Sequence, residues 1–516
     1  MKNLLLTIDA GSSSCKAEVF TQSGESISSG TCPYRMSSPE PGRSELDSQL
    51  LRSTITAATQ QALQGVAPGQ LAGVGVSAQL GLAAVDREGK LLGPILTWAD
   101  RHATEQAQRI EETLGTPRVY GVCGRRVSPE WPLAKILHYQ RHKPEQHART
   151  HKYISLKDYI VLELCGELVT DPTHASYSLL YNVKSRAWEN AFLEAFDLDP
   201  EKLPDVRPAH AVAGETHGEF AAQLGLPDHI PVIVGGPDGT GGSLGAGLIA
   251  ENKAVNVAGT TDVVFTCSNK PVFDPQQGTV VNCYVVPDKW VLGGPMSTTG
   301  GCLRWFCETF AQTEVAQTEV AQTEAKEAAG RGSSVYQWFD EQAAAIAPGS
   351  EKLLAIPSLV GERSPWWDPS RRGVFFGLTP QHDKTHIYRA ILEGSAFSLR
   401  AMIERLEQQG NQIDDVILAG GGAKSRLWAQ IRADVTGKPM LLPKVRSATN
   451  LGTAILIAVG LGMHPSFEQA AAEMTTIEGQ IEPNPANQKT YQDLYEVFQE
   501  LREAIGPASE HLAGIA

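Results

Sequence analysis

Residues Pro231–Gly247 read PVIVGGPDGTGGSLGAG. A short apolar run enters a glycine-rich segment that carries one carboxylate, Asp238. An apolar run of this length bounded by glycine reads as a buried strand. The glycines after it permit a turn that other residues resist. The stretch is therefore expected to hold one acid on a flexible glycine turn, within reach of a substrate. Other glycine-rich segments lie far off in the chain, at Asp9–Lys16, Gly259–Asp262, Gly300–Arg304 and Gly420–Ser425. The expectation is that all of them converge on one cleft around Asp238.

Outward from that stretch, the pattern is α/β. Leu4–Ile8 is an apolar run ending in DAG, Cys15–Phe20 alternates, and Ser26–Cys32 can return as a third strand after the TQSGES turn. Leu46–Leu63 has apolar residues at helical spacing. Ala72–Ser77 and Leu82–Asp86 read as strands, and Arg101–Leu114, Pro132–Tyr139 and Lys157–Leu164 as helices. A run of strands followed by alternation with helices points to a mixed sheet, antiparallel at one edge. The pattern restarts after residue 250 with Ala254–Ala258, Val263–Cys267, Val281–Val286 and Trp290–Leu292 as strands. Val416–Ala419 then leads into GGGAKS and a helix, Met440–Leu442 is a strand, and Ala448–Gly460 is a buried helix. This layout suggests similar halves, 1–248 and 249–516, the second ending in a helical tail, although no residue-level repeat links them. The AQTEVAQTEVAQTEA repeat at 311–325 reads as an exposed helical extension without function.

The bulk properties narrow the function. At 516 residues, the chain can build two large domains. Its hydrophobic fraction of 42% and charged fraction of 20% are those of a soluble globular protein. A net charge of −14 argues against a nucleic-acid partner or an anionic membrane surface. It is compatible with ATP, because backbone N–H groups and a cation can make a local anion site. The 8 cysteines show no CxxC spacing, so reduced thiols and a cytoplasmic setting are expected. Asp9 interrupts the first apolar run too early for a signal peptide. Leu451–Met463 is too short to span a bilayer.

The loops carry the chemistry. In Asp9-Ala-Gly-Ser-Ser-Ser-Cys-Lys16, a tight connection can turn N–H groups and hydroxyls toward phosphate oxygens, while an acid at a strand end can hold hydrated Mg²⁺. GGGAKS at 420–425 lies between a strand and a helix, where glycines allow close approach of a ring or phosphate. There is no GxxxxGK[ST] sequence, which excludes a P-loop. GVGVSA (73–78) and GAGLIA (245–250) fit G-x-G-x-x-A and raise an NAD-dependent oxidoreductase as an alternative. Neither has the strand–turn–helix setting with an acid about 20 residues on.

The order DAGSSSCK, VSAQLGL, TWADRHA, GELVTDPTHAS, GGPDGTGG, GTT, GERSPWWDPSRRGVFFGL, LAGGGAKSRLWAQIRADVTGKP and ATNLGTA resembles the FGGY carbohydrate kinases from residue 4 to about 465. The resemblance implies two actin-like (ribonuclease H-like) α/β domains with a cleft between them, the sugar held by the first and ATP by the second. It implies Asp238 as catalytic base and Asp9 as the acid near Mg²⁺. It places Ser12, Ser13 and Lys16 at the phosphates, Thr260, Gly300 and Arg304 around phosphates and ribose, and Gly421 and Ser425 at adenosine. Gln79, Leu80, Trp98, Asp100 and Arg101 match the sugar-facing part.

Within the family, VSAQLGL and TWADRHA look most like xylulokinases, whose segments run close to SGQMHGL and WNDGRA, so D-xylulose to xylulose 5-phosphate is the expected reaction. Two features depart from that pattern: Leu80 alone stands where Met-His is usual, and PDGTGG lacks an amide after the acid. Glycerol kinases carry Arg-Glu where this chain has Ala78-Gln79, which makes glycerol less favoured. Ribulose, gluconate, glycerol or a non-catalytic nucleotide-gated sugar sensor are the alternatives. The partners expected are a small sugar or polyol and ATP, with a homodimer admitted.

Overall fold

The computed structural model describes residues 3–296, 298–310, 334–444 and 447–515. The repeat at 311–325 lies outside the described residues.

Two mixed sheets organise the chain. In the first, Leu4–Ala10, Ser14–Thr21 and Ser26–Pro33 form an antiparallel meander. Leu71–Ala78 adds parallel to Leu4–Ala10, Pro231–Pro237 adds parallel to Leu71–Ala78, and Val212–Glu215 closes that edge antiparallel. The second sheet repeats this plan. Trp290–Pro295, Val263–Ser268 and Lys253–Val257 form the meander. Asp415–Ala419 and Met440–Pro443 follow in parallel, and Ile477–Ile481 closes antiparallel. Val280–Cys283 is one further edge strand. The similar halves expected from layout are thus two copies of one topology, and the mixed α/β, actin-like architecture is the one observed. The parallel strands are nearly all buried, because helices cover both faces and leave no polar side.

The helices follow from local chemistry. Ser48–Ala62 begins where Asp47 accepts the N–H of Leu50. Leu156–Cys165 opens with a capping box between Ser155 and Asp158 and stops at Gly166 in the left-handed region. The long Lys384–Gln408 helix is capped by Asp383 and runs through the core of the second half.

One expectation is overturned. The segment after Asp238 is not a flexible turn: Asp238–Gly245 is a helix. Its glycines serve packing, for it lies against the Ala448–Gly460 helix of the second half. A Cβ on Gly245 would stand 1.8 Å from the carbonyl oxygen of Ala448, and one on Gly452 would stand 1.9 Å from that of Gly241. The glycine that a special backbone conformation requires is in the strand before it, where Gly235 takes φ +76° at a register shift against Leu71–Ala78. The glycines of GVGVSA also make room for Ala448–Gly460: a Cβ on Gly73 or Gly75 would press within 2.8 Å of Ile457 or 2.7 Å of Thr453. That helix therefore covers the first sheet although it belongs to the second half of the chain, and Leu5, Ile233, Leu451 and Ile455 share one buried cluster with Val255 and Phe265.

Candidate active site

Asp9 and Asp238 come out at the same end of the first sheet. Asp9 pairs with Ser77 and Pro237 with Ala78, so both acids end parallel strands on either side of Leu71–Ala78. Asp238 begins its helix and accepts the N–H of Gly239 at 2.7 Å. Burial and the Asp238 charge push the Asp9 carboxyl well above the ordinary range, with Lys16 offsetting part of this. Burial also raises Asp238, against the Gly239 N–H and the nearby His174. His174 is itself held by Asp171, Nδ1 to Oδ1 at 2.7 Å, and Asp171 stands 3.3 Å from the buried Lys157 ammonium. Two carboxylates that repel in a dry corner hold protons unusually well, as a base working near neutral pH requires.

The Gly11–Ser13 turn joins the first two strands, and Gly11 donates to the Ser14 carbonyl at 3.1 Å. Ser12 and Ser13 are exposed at its tip. Lys16 faces Asp9 across the hairpin and pairs with Glu18 at 3.3 Å. The Trp98 indole donates to Ser12 Oγ at 3.1 Å, which joins the expected sugar side to the expected phosphate loop.

Asp238, Ser12, Gln79, Leu80 and Trp98 line one cavity of about 230 Å³. Gln79 is anchored from behind, its Nε2 donating to Gly11 O and Tyr34 Oη, both at 3.3 Å. Arg101 lies in the adjoining space of about 530 Å³ and pairs with Glu130 at 2.9 Å. Asp100 is not brought to the wall. It is fully buried and accepts from Ser44 N–H at 3.0 Å, with His102 Nδ1 at 2.6 Å. Burial would raise its pKa, but these bonds leave it below the ordinary value.

The wall also holds residues that the sequence reading passed over, namely Arg125, Glu130, Trp131, Tyr177 and Arg363. CGRRVSPEWP at 123–132 places two arginines between glycine and proline in an acidic chain, which was a legible signal for an anion site. Arg363 lies within GERSP and reaches Glu130 from the other half at 3.5 Å.

On the second sheet, the loops after Lys253–Val257 and Asp415–Ala419 leave parallel neighbours at one end. Gly301 N–H donates to Thr260 O at 2.9 Å, and a Cβ on Gly300 would stand 2.2 Å from Gly259 O. Gly422 N–H donates to Ala258 O at 3.1 Å, while Gly421 faces open space. Thr260, Gly300 and Gly421 are thus neighbours. Ser425 is engaged as the N-cap of Arg426–Thr436, accepting from Trp428 N–H at 3.0 Å. Arg304 is exposed and stands 3.9 Å from Glu308. Asp262, at the end of its loop, is buried and bound to Arg432 at 2.8 Å, a structural role.

Among the described residues, no group of three or more His, Cys, Asp or Glu could hold a metal ion. Two carboxylates suit Mg²⁺ all the same, since it keeps waters and takes its other ligands from phosphates. Asp9 Oδ1, buried without a hydrogen-bond partner, is a fitting oxygen for such a cation. Among the described residues, no helix is long and apolar enough to cross a membrane.

Twin actin-like sheets with a cleft, paired acids at the strand ends of one and glycine loops at the strand ends of the other, define an enzyme of the carbohydrate-kinase class. The comparisons agree. Residues 4–245 match the N-terminal domain, and residues 254–461 the C-terminal domain, of the FGGY family of carbohydrate kinases. The chain belongs to that family. It is 29% identical to a gluconokinase of Bacillus subtilis over 98% of this chain and 96% of the relative. It is equally 29% identical to a xylulose kinase of Lactococcus lactis, over 98% of both. A crystal structure of gluconate kinase from Lactobacillus acidophilus covers 99% of both chains with a TM-score of 0.89 at 25% identity.

Proposed function

We propose that this kinase moves the γ-phosphoryl group of ATP to a hydroxyl of a short open-chain sugar or polyol bound against Asp238. One Asp238 oxygen takes the hydroxyl proton as the substrate oxygen bonds to the γ-phosphorus. The bond from that phosphorus to the β–γ bridging oxygen breaks, and ADP leaves. The raised proton affinity of Asp238 in a shared cavity with Ser12 and Gln79 supports this role above all. Such a reaction asks the protein for positioning and charge placement more than covalent work.

Asp9 would hold hydrated Mg²⁺, which supplies charge neutralisation on the phosphates. Ser12, Ser13 and Lys16 face the transferring phosphate, Thr260 and Gly300 the remaining phosphates, and Gly421 the adenosine. Gln79, Trp98 and Arg101 shape the acceptor side, with Asp100 bracing it from behind. Arg304 and Ser425 reach the nucleotide only if they exchange their present partners. The division of labour follows the halves 1–248 and 249–516. D-xylulose and gluconate both fall within the acceptor class, and relatives named for each are equally similar. The test is substrate-dependent ADP release across D-xylulose, L-ribulose, D-ribulose, glycerol and D-gluconate. ATP binding with no ADP from any of them would instead mark a sensor.

A further inference from the structure

The cleft wall holds a buried cation without an ion-pair partner of its own: Glu130 acts on Arg125 through its charge but pairs directly with other arginines. Arg125 is 3% exposed, lines both cavities, and donates Nη2 to Asn282 Oδ1 at 2.6 Å. Its Nε has no partner, and among the described residues no carboxylate lies within ion-pair distance of it. Its guanidinium is stacked 3.6 Å from the Tyr177 ring centre and 4.6 Å from that of Trp131. A buried charge held this way is costly unless something pairs with it.

The neighbouring charges deepen the imbalance. Arg101, Arg126 and Arg363 share the adjoining cavity with Arg125. Glu130 is already shared by Arg101 at 2.9 Å and Arg363 at 3.5 Å. Glu362, also on that wall, is taken by Arg502 at 2.8 Å and Ser358 at 2.9 Å. Arginines therefore outnumber available carboxylates at this one place in a chain of net charge −14. A neutral ketose would leave that excess uncompensated, whereas a carboxylate would satisfy it with charge-assisted, bidentate bonds.

Resting on the kinase reading above, we propose that the acceptor is a sugar acid of the aldonate class, with its carboxylate bound by Arg125 and Arg363 and one of its hydroxyls facing Asp238. Asp238 and both arginines line the same cavity of about 230 Å³, which is small enough to fix an open-chain acid end to end. Arg125 belongs to the first half and Arg363 to the second, so the carboxylate would tie the two together. A nucleotide phosphate is the other source of negative charge, because Thr261 and Thr298 border the larger cavity.

The test measures ADP release with D-gluconate, with D-glucitol (the same skeleton without the carboxylate) and with D-xylulose. D-gluconate is expected to exceed both in kcat/KM by at least about 100-fold. Arg125→Gln should raise the KM for D-gluconate about 10- to 100-fold, with the KM for ATP changed by less than about threefold. Because Arg125 is buried, the less enclosed Arg363→Gln should show the same split. Calorimetry on the wild-type protein without nucleotide should give heat of binding with D-gluconate and none with D-glucitol. D-xylulose or D-glucitol preferred over D-gluconate overturns the proposal while leaving the kinase reading intact. A raised KM for ATP with that for D-gluconate unmoved assigns the arginines to phosphate and also overturns it. No ADP from any acceptor removes the kinase reading itself, and the proposal with it.

Discussion

Gly452 lies flat against Gly241: a Cβ at position 452 would stand 1.9 Å from the Gly241 carbonyl oxygen, with Gly245 N at 3.0 Å. These two glycines let the helix that starts at Asp238 touch the helix that starts at Ala448, backbone to backbone, across the junction of the halves. Asp238 is thereby fixed to a helix that packs directly on the second half.

Gly452→Ala or Gly245→Ala forces these helices apart. Overpacking of this kind costs about 1–3 kcal/mol. It should also displace Asp238, so a loss of kcat is expected alongside a lower urea midpoint. An alanine variant with unchanged midpoint and rate would show that the contact tolerates the extra methyl.

Asp238→Asn keeps the shape but cannot accept a proton. Turnover should fall about 10²- to 10⁴-fold, while the affinity for ATP, measured by calorimetry, stays near that of the wild type. Retention of turnover would remove Asp238 as the base.

Asp9 and Asp238 give a pH signature in EDTA. Burial and Asp238 raise the Asp9 pKa, so the folded chain holds that proton more tightly than the unfolded one. The stability this gives is present below the ordinary carboxylate pKa of about 4 and is lost as pH rises through the raised value. Asp9→Asn removes the group whose raised pKa carries this dependence. The variant should therefore gain on the wild type in urea midpoint between acid and neutral pH. A difference that stays flat with pH would contradict the coupling.

Asp262→Ala strands Arg432, which is fully buried, has two further nitrogens without partners, and stacks on Trp428 at 3.8 Å. Breaking such a pair typically costs about 3–5 kcal/mol. Replacing both with apolar residues should recover most of the loss. If the single variant melts like the wild type, the pair is not what holds this loop.

Much of this architecture was readable from local pattern. Apolar runs ending at Asp9, Ser77 and Asp238 are the strands that carry the site, because a buried strand needs a continuous apolar run and its end shows as glycine or a polar residue. Motif order reached the family as well. What local pattern could not convey was anything whose partner is remote. GTGGSLG suits a loop as well as a helix, and the choice came from a helix some two hundred residues on that needed room. Asp262 reads as part of a ligand loop until Arg432, 170 residues away, takes its carboxylate. Asp100 looks like a sugar ligand until Ser44 and His102 enclose it. Arg125 and Arg363 lie far apart in the chain, and that they share one wall with few acids is decided by folding. Strand and helix follow from neighbours along the chain, whereas burial, counter-charge and clearance are properties of contacts that exist after the chain has closed on itself.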